Sequence, residues 1–133
     1  MTEKSFIRVS DVMSPNVKTI GRVATIAEAI TMIKEEKVSS LIVERHNEGD
    51  EFGLLTIRDI AREVVATDRP AARTSVYEIM TKPVLTVPAE MNIKYAVRLL
   101  VRFSLSRAVV IDHERNPVGI VTLRDMVLGY EDD

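Results

Sequence analysis

The sequence predicts an α+β chain built from two copies of one β-α-β-β-α unit, and three observations carry that reading. The string Gly53-Leu54-Leu55-Thr56-Ile57-Arg58-Asp59 returns as Gly119-Ile120-Val121-Thr122-Leu123-Arg124-Asp125, keeping Gly, Thr, Arg and Asp and exchanging only apolar residues. The register extends upstream, since Met13 answers to Met80 and Thr19 to Thr86 at a spacing of 67, and Gly53 answers to Gly119 at 66. One residue is lost in between, and an offset otherwise held along the chain marks a tandem repeat. Finally, apolar residues switch between helical and strand spacing in the same order in both copies.

Each copy opens on a short helical turn, Ser10-Asp11-Val12-Met13 ahead of Pro15 and residues 76–80 ahead of Pro83. Residues 17–20 and 84–87 read as short strands. Thr25 and Glu28 then form a Ser/Thr-x-x-Glu capping box, which satisfies free amides at a helix start. The helix that follows carries Ile26, Ala29, Ile30 and Ile33 on one face, and Ile93, Ala96, Val97 and Leu100 repeat those offsets. Residues 40–44 and 107–112 are apolar runs of buried-strand length. Each leads through a polar turn (45–51, 113–116) to a second run (52–56, 117–122), giving a strand hairpin per copy. Residues 57–66 and 123–129 close the units as helices. The first repeat is thus expected over 7–67 and the second over 75–130, with 68–74, around Pro70, as the linker.

Composition bounds the function. The chain has 133 residues and is 46% apolar, so each unit is small for an independent core and the two are expected to share one. Charged residues reach 29% but cancel to −2, which disfavours nucleic acid even with Lys82, Arg98, Arg102 and Arg107 present. The absence of cysteine excludes disulfides, thiolate zinc sites and a cysteine nucleophile, and fits a reducing compartment. The first ten residues lack the apolar run of a signal peptide, and no stretch has the ~20 apolar residues that span a bilayer. A cytoplasmic protein with no membrane association is expected.

The repeated string falls where the last strand of each unit runs into its last helix. Free amides and the positive dipole end of a helix favour an anion there, while Thr and Asp can hydrogen-bond a polyhydroxyl group. A ribose phosphate offers both. The competing explanation is that Thr56-x-x-Asp59 and Thr122-x-x-Asp125 are helix caps and bind nothing. Arg58 and Arg124 lie in the first helical turn, where a cation opposes the dipole, and this favours a phosphate-facing role. His46 and His113 fall in polar turns and read as solvated, as do Glu35-Glu36 and Glu131-Asp132-Asp133. Met13 and Met80 read as core fillers. No serine-histidine-aspartate arrangement or acidic pair suggests catalysis, and no cofactor or metal is expected.

The ordered set of Asp11-Val12-Met13 and Glu78-Ile79-Met80, Val38-Ser39-Ser40-Leu41-Ile42-Val43, Ser106-Arg107-Ala108-Val109-Val110-Ile111-Asp112 and the two Gly-x-x-Thr-x-Arg-Asp strings resembles the cystathionine-beta-synthase (CBS) domain. A tandem pair of these, the Bateman module, accounts for nearly the whole chain. Ile42 and Val109 stand where the family usually carries proline. The resemblance implies two pseudo-symmetric units packed sheet to sheet with two clefts that take adenosyl ligands. In one cleft Thr19, Ile20, Val38, Ser39 and Ser40 would line the adenine, Asp125 would take the ribose, and Thr122, Arg124 and Arg107 would face the phosphate. The other would use Thr86, Val87, Leu105 and Ser106 with Thr56, Arg58 and Asp59. Ser40 replaces Arg107 in the second set, so the Asp125 cleft is expected to be the tighter one.

The resemblance further implies a non-enzymatic regulatory module that binds AMP, ADP or ATP, forms a homodimer and signals to a separate regulated protein. The alternatives are a ligand-free structural dimerisation module and an S-adenosylmethionine sensor, the latter disfavoured because its sulfonium would meet two arginines.

Overall fold

The structure, a computed structural model, describes residues 6–130, so the expected solvated charge at Glu131-Asp132-Asp133 lies outside the described residues. In chain order the elements are α1 (Val9–Val12), β1 (Thr19–Ile20), α2 (Ile26–Glu36), β2 (Ser40–Val43), β3 (Gly53–Thr56), α3 (Ile57–Ile60), β4 (Thr86–Pro88), α4 (Ile93–Arg102), β5 (Arg107–Ile111), β6 (Pro117–Thr122) and α5 (Leu123–Gly129). The α+β class and the doubled β-α-β-β-α order are those the sequence predicts.

Two compact units result. A continuous unit holds Lys18–Val84, and a split unit takes residues 6–17 together with residues 85–130. The continuous unit carries the sheet β1-β2-β3 and the split unit β4-β5-β6. In both, the first strand runs parallel to the second, which requires the crossover helix, and the third returns antiparallel through the hairpin. Thr19 faces Ile42 and Ser40 faces Thr56 in one sheet; Thr86 faces Val109 and Arg107 faces Thr122 in the other.

The helices begin where local chemistry says they should. Thr25 Oγ1 accepts from the Glu28 amide at 3.1 Å, and the Thr25 amide donates to Glu28 Oε1 at 2.8 Å. At the equivalent position Asn92 caps α4, accepting from the Lys94 amide at 2.8 Å. Ile26, Ala29 and Ile33 are buried in one core, and Ile93, Ala96 and Leu100 in the other. Ile30 and Val97 pack at the edge of those cores.

Some details depart from the local reading. The helix expected over 57–66 is α-helical only through Ile60. It then widens into a π turn (Ala61–Val65), with the Ala66 amide reaching the Ala61 carbonyl five residues back at 2.9 Å. Residues 76–78 form a 3-10 turn capped by Ser75 and Glu78. The linker segment is packed: Thr74 is 1% exposed, its hydroxyl donates to Pro70 O at 2.9 Å, and its carbonyl accepts from the Ile26 amide at 2.8 Å.

The opening segment of each repeat packs onto strands of the other repeat, which is why the unit boundaries cut across the repeats. Residues 76–81 join the continuous unit, where Val76 N donates to Ala24 O at 2.8 Å and Thr81 bridges Leu54. Residues 7–14 join the split unit, where Val9 N donates to Met91 O at 2.8 Å and Ser14 bridges Ile120. The glycine of the repeated string serves this docking. Neither Gly53 nor Gly119 has positive φ, but a Cβ at Gly53 would stand 2.6 Å from Met80 Sδ. One at Gly119 would collide with Met13 Sδ and stand 2.8 Å from the Ser14 carbonyl. Met13 and Met80 therefore act in packing, as expected from the sequence.

The two glycines differ in what a methyl would displace, and this gives a testable ordering. Gly53→Ala meets chiefly the flexible end of Met80, whereas Gly119→Ala also meets backbone held by the Ser14–Ile120 bridge. Overpacking of this kind costs about 1–3 kcal/mol. Gly119→Ala is expected at the upper end and Gly53→Ala at or below the lower end in paired denaturant titrations. Equal losses would contradict the backbone origin of the effect.

Candidate functional site

The repeated string places a hydroxyl, a guanidinium and a carboxylate within four residues at a strand-to-helix turn. In both copies the Thr is the N-cap and the Asp is the third helical residue, and the two close a capping box. Thr56 Oγ1 accepts from the Asp59 amide at 3.1 Å while Asp59 Oδ2 accepts from the Thr56 amide at 2.9 Å. The second copy repeats this at 2.9 and 3.0 Å between Thr122 and Asp125. Capping is thus real in both copies, and it uses one oxygen of each carboxylate.

The remaining oxygen separates the copies. Asp59 is 5% exposed, and its Oδ1 accepts from Arg62 Nη2 at 3.3 Å. Arg62 corresponds at a spacing of 66 to Leu128, which makes no such bond and is 68% exposed. Asp125 is half-buried, and its Oδ1 has no hydrogen-bond partner among the described residues. One motif therefore has a closed carboxylate and the other an open one. The offset that revealed the repeat also exposes the Arg62–Leu128 exchange, but only the structure shows that Arg62 reaches back to the motif.

The helix starts offer fewer amides to an anion than the sequence suggests. Leu123 N donates to Ser106 O at 2.9 Å and Ile57 N to Ser39 O at 3.2 Å, so the first helical amide in each copy is engaged, as are the amides of Asp59 and Asp125. Those same bonds tie the start of the middle strand to the motif. In the continuous unit they bring Ser39 and Ser40 beside Thr56, Arg58 and Asp59; in the split unit they bring Ser106 and Arg107 beside Thr122, Arg124 and Asp125. Arg58 and Arg124 are exposed and pair with no acidic side chain among the described residues.

The other candidates differ in what they can offer. Thr19, Ser39, Leu105 and Ser106 are exposed, while Val38, Thr86 and Arg107 are half-buried. Ile20 and Val87 are 5% and 0% exposed within their own cores and Ser40 is 6% exposed, so these three present mainly backbone. His46 and His113 are exposed, and His113 Nε2 lies 2.9 Å from Glu90 Oε2. Among the described residues no group of three or more His, Cys, Asp or Glu is placed to hold a metal ion, and no helix is long and apolar enough to cross a membrane.

Chemically, the split-unit motif joins a carboxylate oxygen able to accept from neighbouring hydroxyls with guanidinium groups suited to an oxyanion. Comparison with known proteins agrees with the fold that produces it. The CBS domain-containing protein YhcV of Bacillus subtilis is 32% identical over 91% of this chain and 84% of its own length. A protein of Methanopyrus kandleri is 30% identical over 91% of this chain, which spans only 61% of that relative. Among solved structures, a hexameric CBS-CP12 protein from bloom-forming cyanobacteria matches with a TM-score of 0.86 at 35% identity, over 92% of this chain and 70% of that one. A CBS domain protein from Pyrobaculum aerophilum complexed with AMP matches with a TM-score of 0.77 at 23% identity, over 94% and 92% of the two chains. The CBS domain family itself matches at residues 9–66 and again at 76–131, so the chain belongs to that family and carries two CBS domains in tandem.

Proposed function

We propose that this chain is a non-enzymatic regulatory module that binds an adenine nucleotide, with AMP, ADP and ATP as the candidate ligands, and signals its occupancy to a partner protein. The observation that carries the reading is the open Oδ1 of Asp125 beside Arg124 and Arg107. A carboxylate oxygen at the rim of a motif can accept from ribose hydroxyls, and the two arginines supply cations for phosphate. The AMP complex of a protein with the same fold supports the ligand class.

In this reading Asp125 holds the ribose and Thr122, Arg124 and Arg107 face the phosphate. The alternative motif, Thr56, Arg58 and Asp59, is the weaker one. Its carboxylate is buried and held by Arg62, and Ser40 stands where the Asp125 motif has Arg107. Signalling requires a ligand whose affinity differs between two states of the module, and the partner reads that difference.

Calorimetric titration of AMP, ADP, ATP and S-adenosylmethionine into the parent, Asp125→Asn and Asp59→Asn proteins tests this. In Asp125→Asn the side-chain amide oxygen still accepts from the Thr122 amide, so the apo protein is expected to lose no more than about 1 kcal/mol, the worth of the charge at the helix end. Nucleotide affinity is expected to fall about tenfold, or 1.4 kcal/mol, in Asp125→Asn alone. A loss confined to Asp59→Asn would move the ribose to the other motif. Binding of no ligand by the parent would favour the second reading, a ligand-free dimerisation module, for which the completed capping boxes speak.

A homodimer is part of the same proposal. Val101, Val127, Leu128 and Tyr130 on or next to α4 and α5 are 63%, 63%, 68% and 56% exposed, and Val65 is 70% exposed. Exposed apolar helix faces of this kind mark interaction surfaces. Light scattering is expected to give twice the 14.9 kDa chain mass, and a monomer at tens of micromolar would contradict it.

A further inference from the structure

The continuous unit carries a polar pocket at the end of its sheet opposite Thr56 and Asp59. There β1 runs out through Gly21 to Arg22, while β2 turns into β3 through residues 44–52. The docked opening segment of the second repeat adds Lys82. Arg22, His46, Asn47, Gly49, Asp50 and Lys82 line a pocket of about 420 Å³.

The charges in this pocket are arranged unequally. Lys82 Nζ lies 2.6 Å from both carboxylate oxygens of Asp50, and Asp50 Oδ2 also accepts from the His46 amide at 2.8 Å. These contacts hold the Asp50 carboxyl well below the usual carboxylate range, the Lys82 hydrogen bond contributing most. Its negative charge is thereby satisfied by the protein. Arg22 is not so satisfied: its guanidinium lies over the Tyr77 ring at 5.2 Å, and its Nε is buried without a hydrogen-bond partner among the described residues. A buried guanidinium donor left unpaired is costly, and a ligand acceptor removes that cost. Other acids of the turn, Glu44, Glu48 and Glu51, are exposed, and Arg45 lies over Phe52 at 4.9 Å.

The second repeat carries none of this. At a spacing of 67, Arg22 becomes Ala89 and Lys82 answers to Pro15, and at 66 Asp50 becomes Asn116. The pocket is therefore not a by-product of the repeated fold.

We propose that this pocket binds a phosphate group, held by the Arg22 guanidinium and the Lys82 ammonium, at a site separate from the repeated string. The planar Arg fork suits a tetrahedral oxyanion, and Lys82 can bridge the anion and Asp50. The phosphate is either free inorganic phosphate or a monoester on a small molecule, and both present the same oxygens.

The test is an amide-detected NMR titration of the full chain with inorganic phosphate and, separately, glycerol 3-phosphate, at ionic strength held constant with chloride. Saturable shifts at residues 46–50 are expected, with dissociation constants in the millimolar range. Arg22→Gln and Lys82→Gln are each expected to weaken binding roughly tenfold, the scale of a lost charge-assisted bond. Asp50→Asn is expected to tighten it by removing a nearby negative charge, and Asp125→Asn to leave it unchanged. Tighter binding of the ester assigns the site to a phosphate carried on a larger molecule; equal or tighter binding of the free ion assigns it to inorganic phosphate. Shifts that do not saturate, that persist equally in Arg22→Gln and Lys82→Gln, or that weaken in Asp50→Asn would overturn the proposal. Should Arg22→Gln fail to fold, Lys82→Gln and Asp50→Asn, which move in opposite directions, still decide it.

Discussion

The contact of a methionine with a bare glycine backbone governs how this chain is put together. Met80 lies over Gly53 and Met13 over Gly119, each pair joining the opening segment of one repeat to the last strand of the other. A side chain on either glycine would press on that segment, which also carries the short backbone bridges from Thr81 to Leu54 and from Ser14 to Ile120. The same segments bring Val76 and Ile79 into one core and Val9 into the other. The exchange makes each compact unit a composite of both repeats. A repeat cut out at the linker would lack the segment that covers its own sheet and carry one that belongs elsewhere.

The same seven residues serve packing, helix initiation and, in our reading, recognition. The glycine admits the methionine, the threonine caps the helix, and the aspartate completes the box with one oxygen. Duplication preserved these structural duties in both copies. The divergence lies just beyond the aspartate, at Arg62 and Leu128, where one copy gained or kept a cation that closes its carboxylate. In our reading the ligand contact therefore depends on a residue outside the repeated string.

Much of the fold was legible because its signals are local. The Thr25–Glu28 box, the apolar faces of α2 and α4 and the two hairpins depend on residues a few positions apart, and each appears where the spacing places it. The packing role of Gly53 and Gly119 could not be read that way, since the methionines that require it come from the other repeat. The π turn after Ile60 has no local signature in Ala61-Arg62-Glu63-Val64-Val65. At the candidate site, the strand register joins Arg107 to the Thr122–Asp125 motif, as the sequence grouped them, but it sets Ser39 and Ser40 beside Thr56 and Ser106 beside the Thr122 motif, each next to the motif of the other predicted set. The sequence did not distinguish side chains from backbone at Ile20 and Val87, whose burial depends on the assembled core. Arg22 and Asp50 escaped notice and Lys82 was weighed only as a nucleic-acid contact, because the three are separated in sequence and joined only when the second repeat's opening segment docks.

The account holds that the motif with the open carboxylate oxygen binds the ribose and that residue 62 or 128 decides which motif that is. The most direct measurement is the calorimetric AMP affinity of the double exchange Arg62→Leu/Leu128→Arg, in which both altered positions are exposed and the capping boxes stay intact. The account expects an affinity reduced about tenfold from the parent, as Asp125 becomes closed and the poorer Asp59 motif opens. Parent-like affinity in a folded double variant would show that the free oxygen of Asp125 does not hold the ligand.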